Sequence, residues 1–303
     1  MYSVNAINAI AYILMLVFLT FSFLVVLTAV SSSSGDRHIA QPGFLISQSM
    51  SPGQSKSSSV HRHQRSVSYF NKPKEDWLLD GIGLVMQGIV IPALQVTLIY
   101  HFWSWLFPSW EYVLHLSGWL QFVISFVCVD YLYYWNHRSL HHSFLWNVHK
   151  VHHTVSEMDV LGTSRNTLWS SFFVVYLWVH ALMLFVLDHP NGYVLGVSLT
   201  AALDLWRHSR FSLLPFQRKH PLVYRFFSSW LMLPHNHAWH HSSTEGNKNY
   251  GGNLNIWDKI HRTYHGESSY PRSIGIKLNL SIIQKLVLPI DDERQLSKPR
   301  GPN

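Results

Sequence analysis

Histidine is over-represented in this chain, at 21 of 303 residues, and nine of them fall in three short stretches. The first is Asn136-His137-Arg138-Ser139-Leu140-His141-His142. On a helix, His137 and His141 project from one face with Cβ atoms about 5–6 Å apart. The second, His149-Lys150-Val151-His152-His153, places His149, His152 and His153 at i, i+3 and i+4. The third, His237-Ala238-Trp239-His240-His241, repeats that spacing. A face carrying imidazoles in register binds a metal once other faces close over it, and neutral imidazole suits iron, copper and zinc. One His-x-x-x-His pair is often an accident of a polar helix face. Three boxes, each beside an apolar or aromatic stretch, are not read that way.

The only cysteine, Cys128, lies inside an apolar run, which excludes an intrachain disulfide and a cysteine-based zinc site. Any metal is therefore held by nitrogen or oxygen. Apolar residues make up 48% of the chain and charged ones 13%, the balance of a bilayer-embedded protein. The net charge of +7 raises the question of nucleic acid, but its distribution argues for membrane topology instead.

The elements that must position the boxes follow from hydropathy, since about 20 apolar residues are needed to cross a core of roughly 30 Å. Four regions are long enough: about 7–30, 77–107, 112–135 and 168–206. The last is interrupted by Asp188-His189-Pro190-Asn191-Gly192 and reads as two spans joined by a turn. With 31–76 in the cytosol, both box regions and the tail fall on the same side, as do all 23 Lys and Arg residues. Five crossings and an outside N-terminus result. Residues 1–30 compete between a cleaved signal peptide and a signal anchor; the lack of a basic leading region favours the anchor. Residues 31–76 read as a polar, disordered cytosolic linker, 77–270 as the catalytic membrane domain, and 271–303 as a cytosolic tail. The expected fold class is an all-α integral membrane protein of four to five transmembrane helices, with a cytosolic helical cap holding a histidine-rich dimetal site.

The order and spacing of these motifs resemble the fatty acid hydroxylase and sterol desaturase superfamily of membrane histidine-box di-iron oxygenases. The resemblance runs from about Gln121 to Tyr264. It rests on Asp130…Tyr134-Trp135-Asn136-His137-Arg138…His141-His142, on Leu145-Trp146…His149…His152-His153, and on Pro234…His237…His240-His241 followed by Asn249-Tyr250-Gly251-Gly252…Trp257-Asp258. Glu157-Met158-Asp159-Val160 and the segment 249–258 are most similar to the alkylglycerol monooxygenase branch and its bacterial relatives. Many superfamily members carry a His-Pro pair about a dozen residues after the second box. Here Thr163-Ser164-Arg165-Asn166-Thr167-Leu168 has none, which weakens a sterol-desaturase assignment more than it weakens catalysis.

The resemblance implies two iron ions, dioxygen as co-substrate, and His137, His141, His142, His149, His152, His153, His208, His237, His240 and His241 as metal ligands. His208, beside Arg207 and Arg210, also reads as an ordinary interfacial residue. Carboxylates are expected to orient imidazoles through their second ring nitrogen. Asp130, seven residues before His137 and on the same helix face, is one candidate catalytic group, against a plain helix-end role. Asp159 is another, against a cap, with Glu245 and Asp258 weaker. The implied reaction is hydroxylation of a membrane lipid alkyl or acyl chain or sterol. The alternatives are a desaturase of the same superfamily and a non-enzymatic membrane metal-binding protein. The chain carries no iron–sulfur, haem or flavin motif, so electrons are expected from a separate protein such as cytochrome b5 or ferredoxin. The site is expected on the cytosolic side of a bacterial inner membrane or the endoplasmic reticulum.

Overall fold

The computed structural model describes residues 72–290 apart from Ser212, Thr244 and Glu245. The expected signal anchor, nearly all of the linker, the end of the tail and Glu245 lie outside the described residues. The described chain is mostly helical, with no strand and three isolated bridges.

Helix α1, Lys74–Leu106, is the one described helix long and apolar enough by itself to cross a membrane. It widens into a π turn over Met86–Val90, just ahead of Pro92. Proline has no N–H for the carbonyl four residues back, so the ladder is already broken where the wide turn stands. Helix α2, residues 118–140, starts with the Ser117 side chain accepting from Leu120 N and contains a second π turn at Ile124–Cys128. Helix α3 is Ser143–His149, α4 is Val175–Val186 and α5 is Asn191–Arg207. Five short helices follow: α6 Leu214–Lys219, α7 Pro221–Ser228, α8 Pro234–His240, α9 Ile256–Ile260 and α10 Ile282–Val287.

Helix α4 packs along α1, and α5 along the first half of α2. Val129, Leu187 and Tyr193 form the buried core between them. The turn expected near Asp188 joins α4 to α5, and Gln121 holds it by donating to His189 O at 3.0 Å and accepting from Gly192 N at 3.1 Å.

The apolar region 168–206 is not helical from its start. Residues 168–174 run through a short 3₁₀ turn, and α4 begins only at Val175. Such backbone is tolerated at membrane depth only if its polar groups find protein partners. Gln87 donates to Thr167 O at 2.5 Å, Gln95 to Ser171 O at 3.1 Å and Asn136 to Phe173 O at 2.8 Å. Two buried glutamines of α1 thus replace the missing helical ladder.

Candidate metal centre

The boxes meet at the end of α2 that lies beside α8 and the loop after it. His137 sits on α2, and His141 caps it. The second box is not a single α-helical face: α3 ends at His149, and His152 and His153 stand on a 3₁₀ turn. His237 and His240 lie on α8, with His241 as its cap. His208 caps α5.

The imidazoles sort into two adjoining groups, each with ligand atoms within 4.8 Å of one another. His137, His141, His149, His153 and His240 make the first; His152, His208, His237 and His241 make the second. Each of the second and third boxes is shared out. The second box gives its i, i+4 pair to the first group and His152 to the second, and the third box does the reverse. The rings of His153 and His241 stack across the boundary at 4.5 Å. His142 is exposed and lies outside both groups.

Main-chain carbonyls fix the tautomers. The Nδ1–H groups of His137, His208 and His240 donate to Tyr250 O, Asp204 O and Lys248 O, each at 2.8 Å, and that of His152 donates to Arg165 O at 3.3 Å. An imidazole that donates through Nδ1 presents a lone pair at Nε2. The Nε2 atoms of His152 and His208 therefore face each other at 3.3 Å as two lone pairs with no proton between them. Nε2 of His137 approaches that of His149 at 3.0 Å, and Nε2 of His208 approaches that of His237 at 3.0 Å. The Nε2 atoms of His141, His240 and His241 are buried without any hydrogen-bond partner. Converging unpaired donors of this kind fit a cation, and an all-imidazole set fits iron, copper or zinc.

Burial acts in the same direction. Desolvation brings His137 down to about 4 and His141 to about 2, each from an ordinary value of 6.5. His149, His152, His153, His237, His240 and His241 are pushed well below that value, chiefly by burial and then by neighbouring imidazoles. Neutral imidazole is the ligating form, so the site is ready for metal at neutral pH.

The carboxylates do not take the place expected for them. Asp130 touches no imidazole; it accepts from Asn253 N at 2.6 Å, Leu254 N at 3.0 Å and Trp257 Nε1 at 2.8 Å. Asp258 accepts from Tyr250 N and Gly251 N, each at 2.8 Å. Together they fold 249–258 under α2, which aims the Tyr250 carbonyl at His137. A Cβ on Gly252 would meet Asp130 Oδ1 at 2.6 Å, so only glycine lets the loop approach this closely. Asp159 caps the 3₁₀ turn Val160–Ser164 and pairs with Lys72 at 2.5 Å. Neither Asp130 nor Asp159 reaches the imidazoles directly.

Sequence reasoning had no means of finding the four carbonyls, because a main-chain oxygen leaves no side-chain signature. It also passed over Arg165, whose side chain is 1% exposed. Arg165 donates to Asp80 at 2.5 Å and Asp76 at 3.1 Å on α1, while its own carbonyl holds His152. The tail is part of the site as well. Gly275 N donates to His241 O and Ile276 N to His153 O, both at 2.8 Å. Gly275 has φ +80°, and a Cβ there would lie 2.0 Å from Val155 O.

A cavity of about 890 Å³ opens between α1, α2, α4 and α5. It is lined by Tyr112 and Asn191 at the turn end and by Tyr133, Asp204, Arg207 and Gly252 near the histidines. Because α5 walls it from Asn191 to Arg207, it extends for about 25 Å at 1.5 Å per residue. Tyr133 lines it, whereas Trp146 packs on His141 and His153.

Residues 122–263 match the family model for fatty acid hydroxylase. The ornithine lipid hydroxylase OlsE of Rhizobium tropici is 32% identical over 190 residues, which is 61% of this chain and 51% of that protein. Human alkylglycerol monooxygenase is 28% identical over 48% of this chain and 30% of its own length. The rice very-long-chain aldehyde decarbonylase GL1-7 is 31% identical over 48% and 24%, respectively. The matches span from about a quarter to about half of these relatives' lengths. No solved structure gives a significant match. The matched segment is just under half of the chain and contains every histidine of both groups, and over it the chain is similar to the fatty acid hydroxylase family.

Proposed function

We propose that the chain is an oxygen-dependent lipid hydroxylase that acts on an alkyl or acyl chain at a pair of iron ions. The observation that carries this reading is a long, mostly apolar cavity next to the two imidazole groups: its lining residue Tyr133 lies 5.1 Å, ring to ring, from His137, and its lining residue Arg207 directly precedes His208. Bound iron would supply oxygen activation strong enough to attack an unactivated C–H bond. His137, His141, His149, His153 and His240 would hold one ion, and His152, His208, His237 and His241 the other. The protein's own part includes keeping Nε2 of His137, His152, His208 and His240 unprotonated through the carbonyls of Tyr250, Arg165, Asp204 and Lys248. The cavity walls orient the chain and exclude water. The activities of two relatives, ornithine lipid hydroxylation and alkylglycerol monooxygenation, support hydroxylation over desaturation.

The same reading places the chain in the membrane as a multi-pass protein with its site on the cytosolic side. Helix α1, the one-sided Lys and Arg, and the exposure of Leu94, Leu98, Trp105 and Leu195 to the surroundings support it. Liganding histidines at helix ends rather than along a path through the helices argue against a transporter. Electrons would come from a separate protein such as cytochrome b5 or a ferredoxin.

Purified protein with candidate lipids, a reductant and ¹⁸O₂ tests the reaction. Hydroxylation adds one labelled oxygen to the product. Loss of two hydrogens without label would make it a desaturase, and unaltered lipid would remove the enzyme reading.

A further inference from the structure

Between Asp204 and Glu245 the sequence contains no acidic residue, while Arg207, Arg210, Arg218, Lys219 and Arg225 all fall there. Helices α6 and α7 occupy the middle of this stretch. On α7, Leu222 is 80% exposed and Phe226 62%, with Val223 and Phe227 exposed beside them. At about 100° per residue these four side chains cover an arc of roughly 140°, with Arg225 about 60° beyond one edge and Tyr224 facing the protein. Phe211 and Phe216 extend the apolar surface before α7, and Arg218 and Lys219 are exposed at its rim. Aromatic and aliphatic side chains rarely lie this bare in a contiguous patch without a partner.

The patch is firmly built. Asn255 donates to Ser228 O at 2.9 Å, Lys259 to Ser229 O at 2.6 Å, and Asn255 N to Trp230 O at 2.9 Å. The chain then enters α8, so the patch is tied to the third histidine box within a few residues. A short amphipathic helix with bulky apolar residues on one side and cations at the edge fits a headgroup layer, where long basic side chains reach phosphate while apolar ones enter the acyl region.

We propose that Phe211 and residues 215–228 form a membrane-surface docking site that lies in the interface of the bilayer and recognises anionic phospholipid headgroups through Arg218, Lys219 and Arg225. The absence of acidic residues selects anionic lipid over a basic protein partner. The apolar arc distinguishes the site from a purely electrostatic patch.

The full chain, with Cys128→Ser and a nitroxide attached through Leu222→Cys or Phe226→Cys, tests this in vesicles of phosphatidylcholine with and without phosphatidylglycerol. A label at Ser268→Cys, an exposed position outside the patch, serves as the aqueous reference. Power-saturation EPR then compares collision with oxygen and with a water-soluble nickel complex. We expect oxygen to reach the two patch labels several-fold better than nickel does, more so with phosphatidylglycerol, and we expect Arg218→Gln, Lys219→Gln and Arg225→Gln together to erase that lipid dependence. Nickel access equal to that at Ser268→Cys would overturn the proposal. Protection from both reagents would indicate a protein partner and overturn it too, and burial indifferent to phosphatidylglycerol would overturn the headgroup assignment. None of these readings depends on metal content or turnover, so the proposal stands or falls apart from the enzymatic one.

Discussion

His152 and His208 each commit an Nδ1 proton to a main-chain carbonyl and so confront each other through bare Nε2 atoms. That geometry is repulsive until a cation sits between the rings, which makes His208 a ligand in this account rather than an interfacial residue. His208→Ala should lose about half of the bound metal and all hydroxylation, with the fold retained by circular dichroism; full metal content in the variant would return His208 to the interface. Asp258 acts at one remove, through Tyr250. Removing a group that orients a ligand typically costs 10–100-fold in metal affinity or activity, so Asp258→Asn should weaken metal retention by about that factor in a chelator competition. The box histidines were legible in the sequence from their clustering and spacing, although the second box does not lie on one helix face as that spacing suggested. Their division into two groups was not, because it depends on α8 running against the second box, and no local pattern encodes that approach.

At the scale of elements, Arg165 joins the inner end of α1 to the turn that holds His152. Its guanidinium lies among Asp76, Asp80 and the Thr154 carbonyl, a buried ion pair in which Lys72 faces the other oxygen of Asp80. Breaking such a pair costs about 3–5 kcal/mol, because a charge is left buried and unpaired. Arg165→Met should therefore lower the denaturation midpoint and also release metal from the His152 group first, whereas Asp80→Asn should do so more mildly. Equal loss from both groups, read by metal analysis against chelator concentration, would reduce Arg165 to a structural role. The helices themselves were largely legible: the turn at Asp188 and the start of α1 lie where apolar runs and turn residues put them. The unwound stretch 168–174 was not, because its apolar residues satisfy a hydropathy reading while its backbone is held by Gln87, Gln95 and Asn136 from distant helices.

For the whole molecule, burying so many neutral imidazoles couples folding to pH. His137 titrates at about 4 in the native protein against 6.5 in an unfolded chain. Between those values the unfolded chain binds more protons, so stability rises with pH there and levels off above about 6.5. Chelator-treated protein should accordingly unfold at lower denaturant at pH 5 than at pH 7.5, and metal should remove much of the difference; equal midpoints in the metal-free protein would contradict neutral burial. The cavity shows the reach of the same architecture, since a chamber walled by α1, α2, α4 and α5 includes Tyr133, whose ring lies 5.1 Å from that of His137, and Arg207, the neighbour of His208. Composition pointed to a bilayer-embedded protein and the histidine boxes to a metal site, but only the packed helices reveal the chamber beside it. Diffraction from crystals of the iron-loaded protein, collected on either side of the iron absorption edge, addresses the central claim most directly. Two anomalous peaks should appear, one enclosed by His137, His141, His149, His153 and His240 and the other by His152, His208, His237 and His241; a single peak, or none within those rings, would contradict it.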